Sequence, residues 1–402
     1  METKENEIFQ IIRNTEPLEE FLHAIIVYSN PYHFKRRLQL AKEFINRIEK
    51  EPNVILYVVE MIYDESDVYE ITDKENPRHL QLKTDTILWH KENMINIGVE
   101  KLLPPNWKAF AWIDADIEFE NPSWALDTLK ILNVKRDIVK LFSHEISMDQ
   151  NQMTLQFFSS YGYQYEKHKN YNMNQKMMDG IPDMKTPGYA WAMTRNMYEK
   201  IEGLYEYCII GSGDTIMTMC LVGLLKNYIN NHICYSEDYY HNVMSYQQLF
   251  LNNTFSFSYV PGIVHHYYHG SVQNRNYVTR HNILKKFNYS PSIHLFHDEQ
   301  GVITPTPSFP TPLKESLRFY FFIRNEDENT YDMEKKQSLM HRVSKYFQYN
   351  SQRTIQNPSL PISNPKPYVN PTPISNPISN PEPYVNIPKP KPFFNIRSMF
   401  FR

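Results

Sequence analysis

Four short stretches carry residue types that could do chemistry. The first is AWIDADIEFENP, Ala111 to Pro122, where an apolar run ends in Asp114 and Asp116. Two carboxylates one residue apart at a strand end offer hard oxygen donors for Mg2+ or Mn2+. Such an ion suits a diphosphate, because it neutralises charge gathering on a leaving group. Two solvated acids would look the same in isolation, so the context decides. The second is TDTILWHKENMINIGVEKLLP, Thr84 to Pro104, in which Trp89, His90, Lys91 and Asn93 lead into a helix. A cation at a helix start is a favourable place for phosphate, and Lys91 could contact a diphosphate there. An exposed lysine at a helix start is the plainer alternative.

The third stretch is YCIIGSGDTIMTMCL, Tyr207 to Leu221, where Asp214 opens an apolar helix. Aspartate is a favoured N-cap, so Asp214 is either a cap or a general base for an acceptor hydroxyl. The fourth is VHHYYHGSVQNRNYVTRHN, Val264 to Asn282. A neutral imidazole can complete a carboxylate-bound metal site. His269, next to Gly270, is the preferred ligand, with His266 second. Arg275, Tyr277 and Arg280 follow and could close over a diphosphate.

These stretches need a scaffold. HAIIVY (His23 to Tyr28) and VILYVV (Val54 to Val59) are compact β-rich apolar runs. Between them Leu38, Ala41, Ile45 and Ile48 recur at helical spacing, which predicts a helix over Phe34 to Lys50. Strand, helix, strand is a βαβ unit, so the fold class is α/β with a parallel sheet. Further strands are expected at Phe110 to Ile113 and Ile138 to Phe142. Helices are expected near Ile8 to Asn14, at Glu92 to Leu103 and at Asn196 to Ile201, with a long one after Asp214. Glu60 to Leu82 reads as a loop or small hairpin, and Asp332 to Phe347 as the last ordered helix.

Beyond Tyr349 the composition changes to Pro, Asn, Ser, Ile and Tyr. NPKPYVN at Asn364 recurs as NPEPYVN at Asn380, a period of 16. Proline this dense sustains neither helix nor interior strand. A disordered Pro-rich C-terminal tail is expected, either a spacer or a ligand for a proline-motif-binding partner. The expected organisation is a helical extension at 1–20, a catalytic domain at 21–300, a loop and helix at 301–348, and the tail at 349–402.

Composition narrows the function. A formal charge of -3 argues against a nucleic-acid partner. Three cysteines, with no Cys-x-x-Cys pair, suggest a reducing space rather than a disulfide framework. The charged start METKENEIFQ has no apolar signal core, and no apolar run approaches the ~20 residues a transmembrane helix needs. A cytoplasmic protein without a transmembrane segment is expected. Richness in Asn, Ile, Lys and Tyr suits an AT-rich genome.

In this order, the motifs resemble the GT-A glycosyltransferases, and within them the β-1,4-galactosyltransferase-like group and its viral relatives. The matching pieces are AIIVYSNPYHFKRR, WHKENMINIG, WIDAD, TPGYAWAMTRNMYEKIEGL, GSGD and a late histidine, spanning about Leu22 to Leu284. The resemblance implies a GT-A (Rossmann-like) mixed sheet flanked by helices. It implies Asp116 as the direct metal ligand, Asp114 near the nucleotide ribose and His269 as the later ligand. Asp214 would be the base. Tyr32, Arg36 and Lys91 would serve the diphosphate, and Gly188 with Trp191 the donor sugar. GSGD has no Glu before its Asp, and the basic turn carries Lys35, Arg36 and Arg37 in a shifted register.

The expected activity is metal-dependent transfer of a hexosyl or N-acetylhexosaminyl group. The donor is a nucleotide-sugar, most simply a UDP-sugar. The acceptor is a hydroxyl of a glycan, protein or small molecule, and the anomeric carbon is inverted. Two alternatives stand beside it: a retaining GT-A enzyme, and a non-catalytic scaffold that displays the tail.

Overall fold

Alternate residues of β1 (Leu22–Ser29) feed opposite faces of a central sheet. Leu22, Ala24 and Ile26 join one buried layer, and Ile25 joins the other. Strand side chains alternate with period two, so a strand covered on both faces reads as a continuous apolar run. β2 (Val54–Ile62) repeats the pattern, with Leu56 and Val58 on one side and Tyr57, Val59 and Met61 on the other. The computed structural model describes residues 2–134, 136–168 and 184–328. The helix expected at Asp332 to Phe347 and the tail from Tyr349 lie outside the described residues.

β3 (His79–Lys83) corrects one expectation. It pairs parallel to β2 over Val58 to Ile62, so the Glu60 to Leu82 stretch is not a loop or hairpin throughout. Only Leu82 is fully buried in this edge strand, which leaves no apolar run to find. The strands that follow are β4 (Ala109–Ile113), β5 (Ile117–Phe119), β6 (Ile138–Lys140), β7 (His144–Met148) and β8 (Thr154–Ser160). β9 (Met184–Thr186), β10 (Ala190–Thr194), β11 (Phe257–Tyr259) and β12 (Ile263–His266) complete the two larger sheets.

The central sheet has the order β11-β6-β10-β4-β1-β2-β3. β4, β1, β2 and β3 are parallel in sequence of pairing, whereas β10 runs antiparallel to both β4 and β6. The sheet is therefore mixed, as expected. A second sheet, β5-β12-β7-β8-β9, stands beside it and carries His266 at the end of β12.

Helices cover both faces. α1 (Glu2–Asn14), α2 (Lys35–Ile48), α3 (Lys91–Leu102) and α4 (Trp124–Asn133) come first. α1, α2 and α4 bury Ile8, Phe44, Ile48, Trp124, Leu129 and Leu132 on one face. α3 covers the other with Ile95, Ile97 and Val99, joined there by α5 (Gly213–Leu221), α6 (Glu237–Leu251) and α7 (Thr311–Ile323). The helix after Asp214 is short, not long: it has 9 residues and ends before Gly223, whose φ of 71° is the left-handed conformation that closes helices. α7 buries Leu313, Leu317, Tyr320 and Phe321, so this helix packs on the core.

Candidate active site and metal centre

β1 and β4 are parallel, so both end at one edge of the sheet, where open α/β sheets bind ligands. Tyr32 and the Asp114–Asp116 turn follow these strands directly. The N-terminus of α3 is brought to the same edge. The backbone N–H of Trp89 donates to Ile209 O at 2.9 Å, and Asn93 Nδ2 donates to Gly301 O at 2.9 Å. Asn93 Oδ1 accepts from the Ile303 N–H at 3.0 Å. Farther along α3, a Cβ on Gly98 would lie 2.9 Å from Val59 Cγ2, so only glycine lets the helix lie this close to β2.

Lys91 is clamped between two carboxylates. Its Nζ is 2.6 Å from Asp114 Oδ1 and 3.2 Å from Asp214 Oδ2. Burial would lower the lysine's pKa, but Asp114 and Asp214 outweigh it and hold the ammonium above its ordinary value. Burial pushes the Asp114 carboxyl up, against the pull of Lys91. Asp114 is tied to the strand-entry turn as well: its N–H donates to Tyr189 O at 2.7 Å. Gly188 belongs here too, since a Cβ on it would lie 3.6 Å from Asp214 Oδ2. The N-cap of α5 is Ser212, not Asp214, and Ser212 holds a φ of 88° with no side-chain cap bond. Capping therefore does not account for the Asp214 side chain.

A second cluster lies around Asp116. The Nε2 atoms of His269 and His266 stand 2.9 and 3.9 Å from Asp116 Oδ2. Among the described residues these three are the group able to hold a metal ion, with ligand atoms all within 4.8 Å of one another. Each imidazole turns its other nitrogen to a buried carboxylate. His269 Nδ1 is 3.5 Å from Glu326 Oε2, and His266 Nδ1 is 3.9 Å from Glu145 Oε1. That arrangement orients a metal-binding histidine. Burial pushes His266 down to about 3, so it is neutral and able to donate a lone pair at any ordinary pH.

The donor set fits a cation by a direct observation. Asp116 Oδ1 and His266 Nε2 are buried and make no hydrogen bond. Arg275 Nη2 donates to His269 Nε2 at 2.6 Å, while Asp116 Oδ2 faces that same nitrogen. The one lone pair of His269 Nε2 takes either the Arg275 N–H or a cation shared with Asp116, so an ion held there would release the Arg275 contact. Burial would raise the Asp116 carboxyl, yet His269, His266 and Arg275 hold it well below the carboxylate range.

Several of the residues expected at the site take other places. Asp114 is not among the clustered metal ligands; its carboxylate is taken by Lys91. Arg36 turns its guanidinium to Tyr268 O at 2.9 Å, and its neighbour Arg37 lines the main cavity instead. Trp191 is fully buried and stacks on Trp112, so it does not reach a sugar. Its indole N–H donates to Pro187 O at 2.7 Å, and Lys140 donates to both Pro187 O and Gly188 O. Trp191 therefore supports the Gly188 turn from below. Arg280 donates to Ser212 Oγ at 2.6 Å and lies over the Tyr277 ring, which places it on the loop that carries Asp214.

The main cavity, of about 160 Å³, is lined by Tyr32, Arg37, Lys91, Asp114, Asp116 and His269 among others. Tyr63, Trp89 and Phe321 give it an aromatic wall. Sequence reasoning missed Arg37, Glu326, Glu145 and Glu92. Glu92 had a signal: with Ile95 and Val99 it falls on the buried stripe of α3, where a carboxylate is out of place. Glu326 had none, since the partners that tie it to the site, Arg37 and His269, are distant in sequence.

Glu326 also tests the site's electrostatics. Its buried carboxylate pairs with Arg37 and with Arg324 Nη2 at 3.0 Å, and burial is outweighed so that its pKa falls well below the ordinary 4.5. A depressed carboxyl contributes stability that is present above 4.5 and is lost as pH falls through the folded value. Glu326→Gln should therefore lower stability at neutral pH by about 1–3 kcal/mol. Urea melts should show this gap narrowing in strong acid; a gap that does not depend on pH would contradict the charge-based account.

No protein-family model matches the chain, and no curated protein matches it. Solved structures do. A Drosophila β-1,4-galactosyltransferase 7 variant, in complex with manganese, UDP-Gal and xylobiose, aligns at 10% identity with a TM-score of 0.28, over 51% of this chain and 62% of that one. Residues 1–349 of S. aureus TarS align at 11% identity and TM-score 0.34, over 76% and 71%. A nucleotide-diphospho-sugar transferase of Desulfovibrio desulfuricans aligns at 11% and TM-score 0.26, over 66% and 94%. The likeness is low throughout, and the site's own geometry carries the function proposed below. No described helix is long and apolar enough to cross a membrane.

Proposed function

We propose that this chain is a metal-dependent glycosyltransferase that moves a sugar from a UDP-sugar to an acceptor hydroxyl with inversion. The observation that carries this is the pairing of two centres at one sheet edge. The Asp116–His266–His269 donor set, its two histidines buried, has Asp116 two residues from Asp114, which Lys91 joins to Asp214. One centre suits a departing diphosphate and the other suits the removal of a proton.

Asp116, His266 and His269 would hold the ion, which when bound supplies positive charge against the leaving diphosphate. Two imidazoles beside one carboxylate suit Mn2+ better than Mg2+, which prefers oxygen ligands. Arg37 and Lys91 add fixed positive charge to the same cavity, and Tyr32, Trp89 and Phe321 offer flat apolar surface to a nucleobase. Lys91 holds Asp214 through Oδ2, leaving Oδ1 to take the acceptor proton as the acceptor oxygen bonds to the anomeric carbon. The bond from that carbon to the phosphate oxygen breaks on the opposite face.

A screen of nucleotide-sugars for Mn2+-dependent hydrolysis, with NMR of the anomer first released, tests this. We expect turnover of a UDP-sugar, abolished by chelator and restored by Mn2+, with the inverted anomer first. Turnover that persists in excess chelator would remove the metal from the mechanism. Release of the retained anomer would remove Asp214 as the base of an inverting step.

A further inference from the structure

Glu92 is the most out-of-place side chain near Asp214. It sits in the first turn of α3, directly after Lys91, and is only 4% exposed. Its neighbour across the site is Gly213, at the start of α5. A Cβ on Gly213 would lie 2.3 Å from Glu92 Oε1 and 2.4 Å from its carboxyl carbon. The Glu92 carboxyl thus fills the space that a side chain at position 213 would take. A side chain at 213 would have to displace the Glu92 carboxyl that α3 delivers there.

The other oxygen, Oε2, is buried and has no hydrogen-bond partner. A buried polar atom without a partner costs about 1–3 kcal/mol, so such atoms point to a role. The carboxyl lines a small cavity with Asp214, Gly213, Trp112, Tyr205 and Met217. Burial, with Asp214 beside it, pushes Glu92 up to about 8, and Lys91 offsets this only in part; Asp114 adds to the rise. The carboxyl keeps its proton at neutral pH and has an O–H to donate. One wall of this cavity thus carries a proton donor and another carries the proposed base.

We infer that Glu92 is a positioning residue for the acceptor: its free carboxyl oxygen holds the attacking hydroxyl, or water, beside Asp214. The inference rests on the glycosyltransferase function proposed above. It assigns to α3 a task in acceptor binding that adds to the Lys91 contact. The cavity, of about 10 Å³, has room for one water-sized group, so only the reacting hydroxyl, or one water, would enter it. No bond forms or breaks at Glu92.

The experiment measures Mn2+-dependent hydrolysis of the active UDP-sugar, with water as acceptor, in the full chain. Glu92→Ala should lower kcat by about 10–100-fold, the size of one hydrogen bond involving a charged or acidic group, with KM for the donor little changed. Glu92→Gln keeps the shape and offers an amide N–H in place of the carboxyl O–H, so its kcat should stay near the wild type. Glu92→Met removes the donor while filling the space, and serves if the alanine variant fails to fold; its kcat should fall like that of Glu92→Ala. Wild-type kcat in folded Glu92→Ala or Glu92→Met, with the wild type active, overturns this inference alone. So does a folded Glu92→Gln as slow as Glu92→Ala. A wild type that turns over no UDP-sugar overturns this inference and the proposed function together.

Discussion

Asp116→Ala should lose measurable Mn2+ binding and with it all metal-dependent turnover. Asp116 is the only anion of the clustered donor set, and its removal leaves two imidazoles and the Arg275 guanidinium. Two imidazoles facing a fixed cation, with no anion beside them, make a poor site for a divalent ion. The loss should exceed the ~10–100-fold that removing a supporting residue costs. Asp114→Ala is the informative comparison. Its carboxylate lies on Lys91 at 2.6 Å and outside the cluster, so Mn2+ should still bind. Titration calorimetry with Mn2+ alone reads both variants without a donor. Wild-type affinity in Asp116→Ala would overturn the metal assignment, and loss of binding in Asp114→Ala would return Asp114 to the ligand set.

Asp214→Asn should bind donor and metal nearly as the wild type does, while transfer falls by the ~10²–10⁴-fold typical of a positioned acid–base group. The fold should survive. Asp214 is not the N-cap of α5, and Lys91 keeps its shorter bond, to Asp114, when the Asp214 charge is removed. The amide cannot take a proton at neutral pH, so the two functions separate. Donor affinity by calorimetry and rate by released sugar give the two readouts. Near-normal transfer in the variant would move the base elsewhere. Glu202 is exposed on a turn, and Asp183 lies outside the described residues. Glu92, already beside Asp214, would then be the carboxyl to test.

Much of this was legible in the chain because it depends only on neighbours in sequence. β1 and β2 were visible as runs, since each is buried on both faces and is apolar at most positions. Asp114 and Asp116 were visible as a pair at the end of β4, since strand and turn are local. Asp214, at the head of an apolar helix, was visible for the same reason. β3 was not visible, because an edge strand with one fully buried residue carries no run.

The division of labour among those acids was decided by tertiary structure. Lys91 reaches Asp214 across 123 positions, and that contact, with Asp114, takes Asp114 away from the metal cluster. His269 meets Glu326 only because α7 packs back on the sheet, and Arg37 rather than Arg36 enters the cavity because of the phase of α2. Trp191 became core rather than ligand contact because β10 inserts between β4 and β6. Glu92 took the space beside Asp214 because Gly213 left it open. Residue type and spacing set what each side chain is able to do. Which charges meet, and which are sealed from water, depends on closing long loops into one sheet edge, and that is a property of the packed chain alone.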